Sequence, residues 1–267
     1  MKKFKIVKYE IISEKLKQQG FRAAVISDLH NLEFGEKNER LLQALKEGKP
    51  DMLLIAGDLV LGKKGASVHK AYEFLREAVK LFPVFYSLGN HEQRMKQQPE
   101  IYGKGYLMLE KKLQRIGVVM LENTTRIWEG KGEKVLLTGL MLPYSYYARR
   151  GKQRLEKRDL NRLVGKASKE EFQILLAHTP KYGDTYLEWG GDLTLSGHYH
   201  GGMVRVPFLG GAVSPDLRLF PKYCRGHFER EGHHLIISAG LGEHTIPLRV
   251  FNPRELLFID CLPKSRG

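Results

Sequence analysis

The sequence Phe21-Arg-Ala-Ala-Val-Ile-Ser-Asp-Leu-His30 is a short apolar run that ends in side chains able to bind a metal ion. The same pattern recurs in Met52-Leu-Leu-Ile-Ala-Gly-Asp58 and in Val84-Phe-Tyr-Ser-Leu-Gly-Asn-His91. Between these runs, at residues 36–47 and 67–80, apolar residues recur at the spacing of an amphipathic helix. Apolar strands that alternate with amphipathic helices are typical of βαβ units, so we predict an α/β fold with a mostly parallel, buried sheet.

The remaining segments indicate a second sheet. Residues 4–12 alternate as a half-exposed strand does, and later strand-like segments lie near 117–121, 124–128, 134–139, 172–177, 192–196, 203–208, 234–238 and 255–260. Fewer helices separate these later strands, which predicts mixed pairing in a sheet packed on the first one. Because no repeat, low-complexity tract or Pro/Gly/Ser-rich linker divides the chain, we predict one domain over residues 1–267.

The composition is that of a globular protein with a strong basic excess. The chain has 267 residues, 42% of them hydrophobic, and a formal charge of +14. Cys224 and Cys261 are too few for a disulfide framework, so we expect free thiols in a reducing compartment. The first twelve residues lack the apolar core of a signal peptide, and no 18-residue apolar run predicts a membrane span. The charge favours anionic partners, namely nucleic acid, phosphorylated small molecules or acidic lipid surfaces.

Two further apolar runs end in histidines: Ile174–Ala177 precedes His178, and Leu193–Ser196 precedes Gly197-His198-Tyr199-His200. In open α/β sheets, ligands bind outside the carboxyl ends of the strands, so five such ends place oxygen and imidazole ligands along one edge. Each feature alone has an ordinary explanation as a helix cap, a turn or a hydrogen-bonded histidine. Together they predict a metal site. Oxygen and imidazole ligands without thiolate suit manganese, iron, zinc or cobalt, but neither calcium nor an iron–sulfur cluster.

These motifs resemble the complete signature of the calcineurin-like metallophosphoesterase superfamily. They are Asp28-x-His30, Gly57-Asp58, Gly89-Asn90-His91, His178 and Gly197-His198-x-His200. The sequences around Gly197–Gly202, Val206–Gly210, Gly240–Gly242 and Pro247–Pro253 resemble a bacterial branch with YkuE- and YaeI-like members and enzymes that hydrolyse UDP-2,3-diacylglucosamine. The resemblance covers roughly residues 5–260. It implies a calcineurin-like metallophosphatase sandwich, in which two mixed β-sheets are flanked by helices.

The resemblance also implies a role for each motif residue. Asp28, His30 and His200 would hold one divalent metal ion, Asn90, His178 and His198 a second, and Asp58 would bridge the two ions. Manganese is the first expectation for both ions, with iron, zinc or cobalt as alternatives. The adjacent His91 would protonate the leaving oxygen or donate a hydrogen bond to the phosphoryl group, and His244 would touch the substrate or be structural.

Two features depart from that bacterial branch. The export or membrane segment common at the amino terminus of the branch is absent from this sequence, so we expect a cytoplasmic location, peripheral to the inner membrane face. The block from Leu140 to Arg150 lacks the small Gly-x-Asp element of the branch, and residues 141–158 interleave aromatic and basic side chains. We take Tyr146, Arg149 and Arg150 as substrate-binding candidates. The same composition would fit nucleic acid, a nucleotide-sugar lipid, a membrane surface or solvent alone.

Three hypotheses for the function follow. The first is a binuclear-metal phosphohydrolase that cleaves a phosphodiester or pyrophosphate bond in an envelope-related, lipid-linked or small phosphorylated substrate, such as UDP-2,3-diacylglucosamine. The second is a nuclease or cyclic-nucleotide phosphodiesterase of the same superfamily, although 267 residues leave no room for an accessory DNA-binding domain. The third is a non-catalytic scaffold, which the complete set of ligand residues disfavours. No obligate protein partner is inferred, and contact with an anionic membrane is a further expectation.

Overall fold

The computed structural model describes residues 2–147, 153–202, 205–206, 210–211, 221–243, 249 and 251–264. The first half of the chain forms β1 (Lys5–Ser13), β2 (Phe21–Ile26), α1 (Glu39–Gly48), β3 (Met52–Ala56), α2 (His69–Ala78), β4 (Val84–Ser87), α3 (Asn90–Gln97), α4 (Pro99–Tyr102), α5 (Gly105–Arg115) and β5 (Val119–Leu121). The second half forms β6 (Thr124–Gly130), β7 (Glu133–Leu140), α6 (Lys157–Val164), β8 (Phe172–Ala177), α7 (Gly183–Trp189), β9 (Leu193–Ser196), β10 (Arg205–Val206), β11 (Gly210–Gly211), β12 (Gly226–Arg230), β13 (His233–Ile237) and β14 (Glu255–Pro263).

Two six-stranded mixed sheets carry the fold. The first sheet has the order β1-β14-β2-β3-β4-β5, in which β2 to β5 are parallel and β14 is antiparallel to β2. The second has the order β12-β13-β9-β8-β7-β6, in which β7, β8, β9 and β13 are parallel and the two edge strands are antiparallel. The predicted α/β fold with two mixed sheets is therefore confirmed.

The alternation of side chains along β2 shows how the layers pack. Ala24 and Ile26 face the helices α1, α2, α3 and α5, whereas Ala23 and Val25 face the second sheet. Successive strand residues point to opposite faces, so a strand covered on both sides is apolar over most of its length. The helices α6 and α7 cover the outer face of the second sheet. The result is a sandwich of two sheets between two helical layers.

Several elements differ from the sequence-based expectation. The first helix begins at Glu39 rather than at residue 36, because Lys37 and Asn38 have positive φ angles of 50° and 63°. The helices α3 to α7 and the strands β11 and β12 were not predicted. Within the described residues, the strand expected at 203–208 is seen only as β10. No helix among those residues combines the length and the apolar character needed to cross a bilayer.

Candidate metal centre

All seven predicted ligands lie at the carboxyl ends of parallel strands. Asp28 and His30 follow β2, and Asp58 follows β3 in the same sheet. Asn90 is the first residue of α3, just beyond β4. The second sheet contributes His178 after β8 and the pair His198 and His200 after β9. The two sheets thus bring together side chains that are up to 172 positions apart between Asp28 and His200.

The backbone at these strand ends has an unusual conformation. Asp28, His30, Asp58, His198 and His200 have φ angles of 51°, 48°, 55°, 66° and 49°. Left-handed backbone is uncommon for residues other than glycine, and it clusters at functional sites. Five such residues at one edge therefore mark this edge as a functional site, independently of the motifs.

Glycines make the close approach of the strand ends possible. Gly57 has a φ of +87°, and a Cβ atom there would lie 2.5 Å from His178 Nδ1. At Gly197 a Cβ atom would lie 2.3 Å from Asp28 Oδ2. Both glycines precede a predicted ligand, and both bring the backbone of one strand end against a ligand from another strand.

We expect Gly57→Ala to destabilise the protein and disturb the His178 ring. Left-handed backbone alone costs an alanine about 1–2 kcal/mol, and the clash adds at least about 1 kcal/mol. Gly65→Ala is the matched control, because Gly65 also has a positive φ, +75°, but no atom lies within 4 Å of its Cβ position. Urea denaturation measures both variants. A Cβ atom at Gly57 would also lie 2.7 Å from the Gly89 backbone, so equal losses in the free energy of unfolding would show that neither contact is tight.

Three ligand residues form the first candidate metal group. Asp28, His30 and His200 each offer an atom within 4.8 Å of the others. His30 Nε2 lies 3.3 Å from His200 Nε2, and Asp28 Oδ1 lies 3.4 Å from His200 Nε2. The carboxylate and the two imidazoles therefore converge on one point, as ligands of a single cation do.

A second group lies directly beside the first. Asp58, His178 and His198 also offer atoms within 4.8 Å of one another. Asp58 Oδ2 is 3.1 Å from His178 Nε2 and 3.8 Å from His30 Nε2, so this one oxygen stands between the two groups. The buried oxygen Asn90 Oδ1 has no hydrogen-bond partner among the described residues. A buried acceptor without a donor is rare in proteins, and a cation would satisfy it.

The buried carboxylates at this edge need a positive charge beside them. Burial raises the pKa of Asp28 to about 6, although His178 acts in the opposite direction. Burial also acts to raise the pKa of Asp58, but the facing histidines, His178 above all, outweigh it and hold that pKa well below its ordinary value. His178 itself has a pKa raised to about 10, because the two carboxylates outweigh its burial. Two buried carboxylates thus create a negative field that favours a bound cation, which would displace the proton on His178.

His91 forms a third, overlapping group with His30 and Asp58, whose ligand atoms also lie within 4.8 Å of one another. Its Nε2 atom is 3.9 Å from Asp58 Oδ2, and its ring centroid is 4.6 Å from that of His30. The Gly62 amide donates a hydrogen bond to His91 Nδ1 at 2.8 Å. Because Nδ1 acts as an acceptor, the proton of the neutral ring is on Nε2, the nitrogen that faces the carboxylate. The Arg94 guanidinium also lies beside the ring, with Nη2 3.1 Å from Nδ1 and 3.2 Å from Nε2. With its proton on Nε2, His91 can donate toward the ligand cluster.

The groups that orient the ligands were not found from the sequence. Glu92 is fully buried and accepts hydrogen bonds from the amides of Asp58, Gly89 and Val60, at 2.9, 2.8 and 3.0 Å. His178 Nδ1 donates to the Ala56 carbonyl at 2.7 Å, which directs Nε2 to Asp58. The sequence offered one signal for this orienting role, which is that Glu92 directly follows the motif Gly89-Asn90-His91.

The predicted substrate residues are only partly within the described chain. The carbonyl of Tyr146 accepts hydrogen bonds from Lys181 Nζ and Tyr182 Oη, and its ring packs 5.7 Å from that of Tyr182. The neighbouring Tyr147 is the tyrosine nearer to the ligands, with its ring 5.6 Å from His198 and 6.5 Å from His178. The other candidates, Arg149, Arg150 and His244, lie outside the described residues.

The fold and its candidate metal edge define a class of protein, the metal-dependent phosphoesterases. The profile of the calcineurin-like phosphoesterases matches residues 21–202, and the chain belongs to this family. The resemblance inferred from the motifs is thereby confirmed.

The predicted similarity to YkuE and YaeI is confirmed by individual relatives. The chain is 27% identical over 244 residues to the uncharacterized metallophosphoesterase YkuE of Bacillus subtilis, covering 89% of this chain and 77% of that protein. It is 26% identical over 244 residues to the phosphodiesterase YaeI of Escherichia coli, covering 90% of this chain and 82% of that protein. It spans 65% of the length of two Helicobacter pylori relatives. A 5′-nucleotidase candidate of Staphylococcus aureus has a similar fold, with a TM-score of 0.50, 13% identity, and coverage of 92% of this chain and 55% of that one.

Proposed function

We propose that this protein is a binuclear-metal phosphohydrolase that cleaves a phosphodiester or pyrophosphate bond. The observation that carries the proposal is the position of Asp58, whose Oδ2 atom lies between the two ligand groups. A carboxylate oxygen in that position can be shared by two cations that lie side by side. The name of the relative YaeI, a phosphodiesterase, supports the choice of a diester over a monoester.

The residues present fit two cations. In this proposal Asp28, His30 and His200 hold one ion, Asn90, His178 and His198 hold the other, and Asp58 is shared. The unpartnered Asn90 Oδ1 supports the second ion, because an amide oxygen buried at that place has no other donor among the described residues. Oxygen and imidazole ligands without thiolate fit manganese, iron, zinc or cobalt, and we propose manganese as the first choice for both ions.

The chain's own residues then have distinct tasks. When bound, a pair of divalent ions supplies an activated water and positive charge on the phosphoryl oxygens. Asp28 and Asp58 bring two negative charges, fewer than the ions carry, so the loaded site attracts an anionic phosphodiester. His91 donates its Nε2 proton, or a hydrogen bond from it, to the leaving or phosphoryl oxygen. His178 is held in place by the Ala56 carbonyl.

We propose an envelope-related substrate, with UDP-2,3-diacylglucosamine as the first example and a position at the inner face of the membrane. A turnover screen of the manganese-loaded protein tests the function. It would compare a chromogenic phosphodiester, the corresponding monoester, UDP-2,3-diacylglucosamine, a cyclic nucleotide and single-stranded DNA. We expect hydrolysis of the diester and of the UDP-lipid. Turnover of DNA or the cyclic nucleotide alone would favour the nuclease hypothesis, and no turnover of any substrate would favour a scaffold.

We expect Arg149→Ala with Arg150→Ala to raise KM for a large substrate about tenfold or more, as the loss of charged hydrogen bonds to phosphate does. The segment follows β7, whose carboxyl end lies at the metal edge, so these arginines should reach phosphates that the metal ions do not. A small chromogenic diester is the control substrate, because it is too short to reach the segment. An unchanged KM for every large substrate would assign the segment to solvent.

A further inference from the structure

An apolar groove lies between the amino-terminal ends of α2 and α5. It has a volume of about 320 Å³, at the lower end of the range for small-molecule pockets. Val68, Tyr72, Met108 and Leu109 supply its apolar lining. Met108 is 59% exposed and the nearby Ile101, on α4, is 48% exposed. Large apolar side chains that are open to water on neighbouring elements indicate a surface for a partner.

Cations surround this groove without acidic partners. Spacings of three and four residues place one set of exposed residues on the outer side of α5, which we call the α5 face: Lys104, Met108, Lys111, Lys112 and Arg115. None of its four cations lies within 4.0 Å of a carboxylate from the described residues, and Lys112 Nζ instead lies 5.5 Å from the centroid of the Tyr72 ring. The exposed Lys63 and Lys64, on the loop before α2, are likewise unpaired within the described chain.

The groove and the metal centre lie at the same edge of the first sheet. Both α2 and α5 connect parallel strands, so their amino ends lie at the carboxyl ends of those strands. Two hydrogen bonds tie the loop of residues 61–68 to the centre. Gly62 donates to His91 at 2.8 Å, and Asn31 Nδ2, next to His30, donates to the Ser67 carbonyl at 2.9 Å. A surface that contacts the groove therefore also approaches the metal centre.

We infer that the α5 face docks onto an anionic lipid bilayer. A helical face with basic side chains around exposed apolar ones is typical of proteins that lie at the membrane interface, with the apolar groups among the acyl chains and the cations at the phosphates. Nucleic acid is a poorer fit, because proteins bind single strands by stacking bases on aromatic rings. The side chain at the centre of this face is the flexible Met108, and the Tyr72 ring is already in contact with Lys112. The inference goes beyond the proposed hydrolysis, and it does not need turnover to be tested.

The charge component is tested with Lys104→Gln combined with Lys111→Gln. Each lysine near an anionic surface contributes about fivefold to partitioning, so we expect this variant to bind vesicles of phosphatidylcholine and phosphatidylglycerol about 30-fold more weakly. Lys166→Gln with Lys169→Gln is the matched control. These exposed lysines lie just before β8, at the opposite sheet edge, and are also unpaired within the described chain. We expect the control variant to bind the vesicles less than about threefold more weakly, because charges far from the docking face are screened by salt. Equal losses would show that only the net charge matters and would overturn the inference.

The apolar component is tested with Met108→Glu, which we expect to reduce vesicle binding at least tenfold beyond its effect on charge alone. Ile127→Glu is its control, because Ile127 is 54% exposed on the edge strand β6 of the second sheet. Circular dichroism and thermal melting confirm that each variant is folded.

No vesicle binding by the wild-type protein at low salt would overturn the inference. Salt-sensitive DNA binding that Met108→Glu leaves intact, without vesicle binding, would instead identify a nucleic-acid surface. Hydrolysis of a soluble diester by the wild-type protein tests the proposed function separately.

Discussion

Replacing Asp58 with asparagine is expected to reduce metal content from two ions per chain to one or none. The Asp58 carboxylate is almost fully buried, and its Oδ2 atom lies within 4 Å of His30, His91 and His178. An amide offers one neutral oxygen in its place, so the attraction for both cations falls. Turnover of a phosphodiester should fall by at least ~10³-fold at ordinary metal concentrations, because the charge arrangement that stabilises the transition state is lost. Elemental analysis of the dialysed protein, alongside turnover, measures both effects.

Asp184→Asn makes the same chemical change at the surface, where Asp184 bonds to Lys222 and Tyr223. We expect this control to keep its metal ions and activity. Titration with added manganese separates the loss of metal binding from the loss of turnover in the Asp58 variant. Excess metal restores weakened binding, but it does not restore turnover that depends on the bridging carboxylate. Two tightly bound ions and full turnover in Asp58→Asn would contradict the bridging role.

Replacing His91 with alanine is expected to leave both metal ions in place and reduce turnover by about 10²-fold or more. The imidazole is not needed in either ligand group of the proposal, yet its Nε2 proton faces the cluster, because the Gly62 amide occupies Nδ1. The metal content of this variant is therefore expected to stay unchanged while its kcat falls. His233→Ala, at the amino end of β13 and thus at the opposite edge, is the control and should change neither.

A series of diesters with different leaving groups tests what His91 does. If it protonates the leaving oxygen, the loss in His91→Ala should shrink as the leaving group improves, because a good leaving group needs less protonation. We expect this result. A loss of the same size across the series would contradict proton donation and assign His91 to charge stabilisation or positioning. Loss of a metal ion from this variant would contradict both roles.

The alternation of apolar strands and amphipathic helices was sufficient to predict the architecture. The hydrophobic period reports burial locally, and β2, β3, β4, β8 and β9 are mostly apolar and almost wholly buried because both of their faces are covered. The ligands were predictable for the same reason, since each follows directly on such a strand. The helix α5 was not predicted, because its apolar and basic residues do not stand out from the rest of the segment that connects β4 to β5.

Contacts between distant parts of the chain could not be read from the sequence. Arg249 Nη2 donates to the carbonyls of Ala239 and Gly242 behind Asp28, and Asn252 Nδ2 donates to the His200 carbonyl. No periodicity connects such positions. The choice between Tyr146 and Tyr147 depended on the direction of a single 3₁₀ turn, Tyr144–Tyr147, which turns one ring toward Tyr182 and the next toward His198.

The ligands come from both sheets, and this has a mechanical consequence. Asp58 and His30 belong to the first sheet and His178 and His200 to the second, so a pair of bound ions would cross-link the two halves of the sandwich at one edge. An ion present at a hundred times its dissociation constant adds about 2.7 kcal/mol to the stability of the state that binds it. The stiffness of the junction between the sheets would therefore vary with the supply of metal in the cell, and the same ions that act on the substrate would hold its binding surface together.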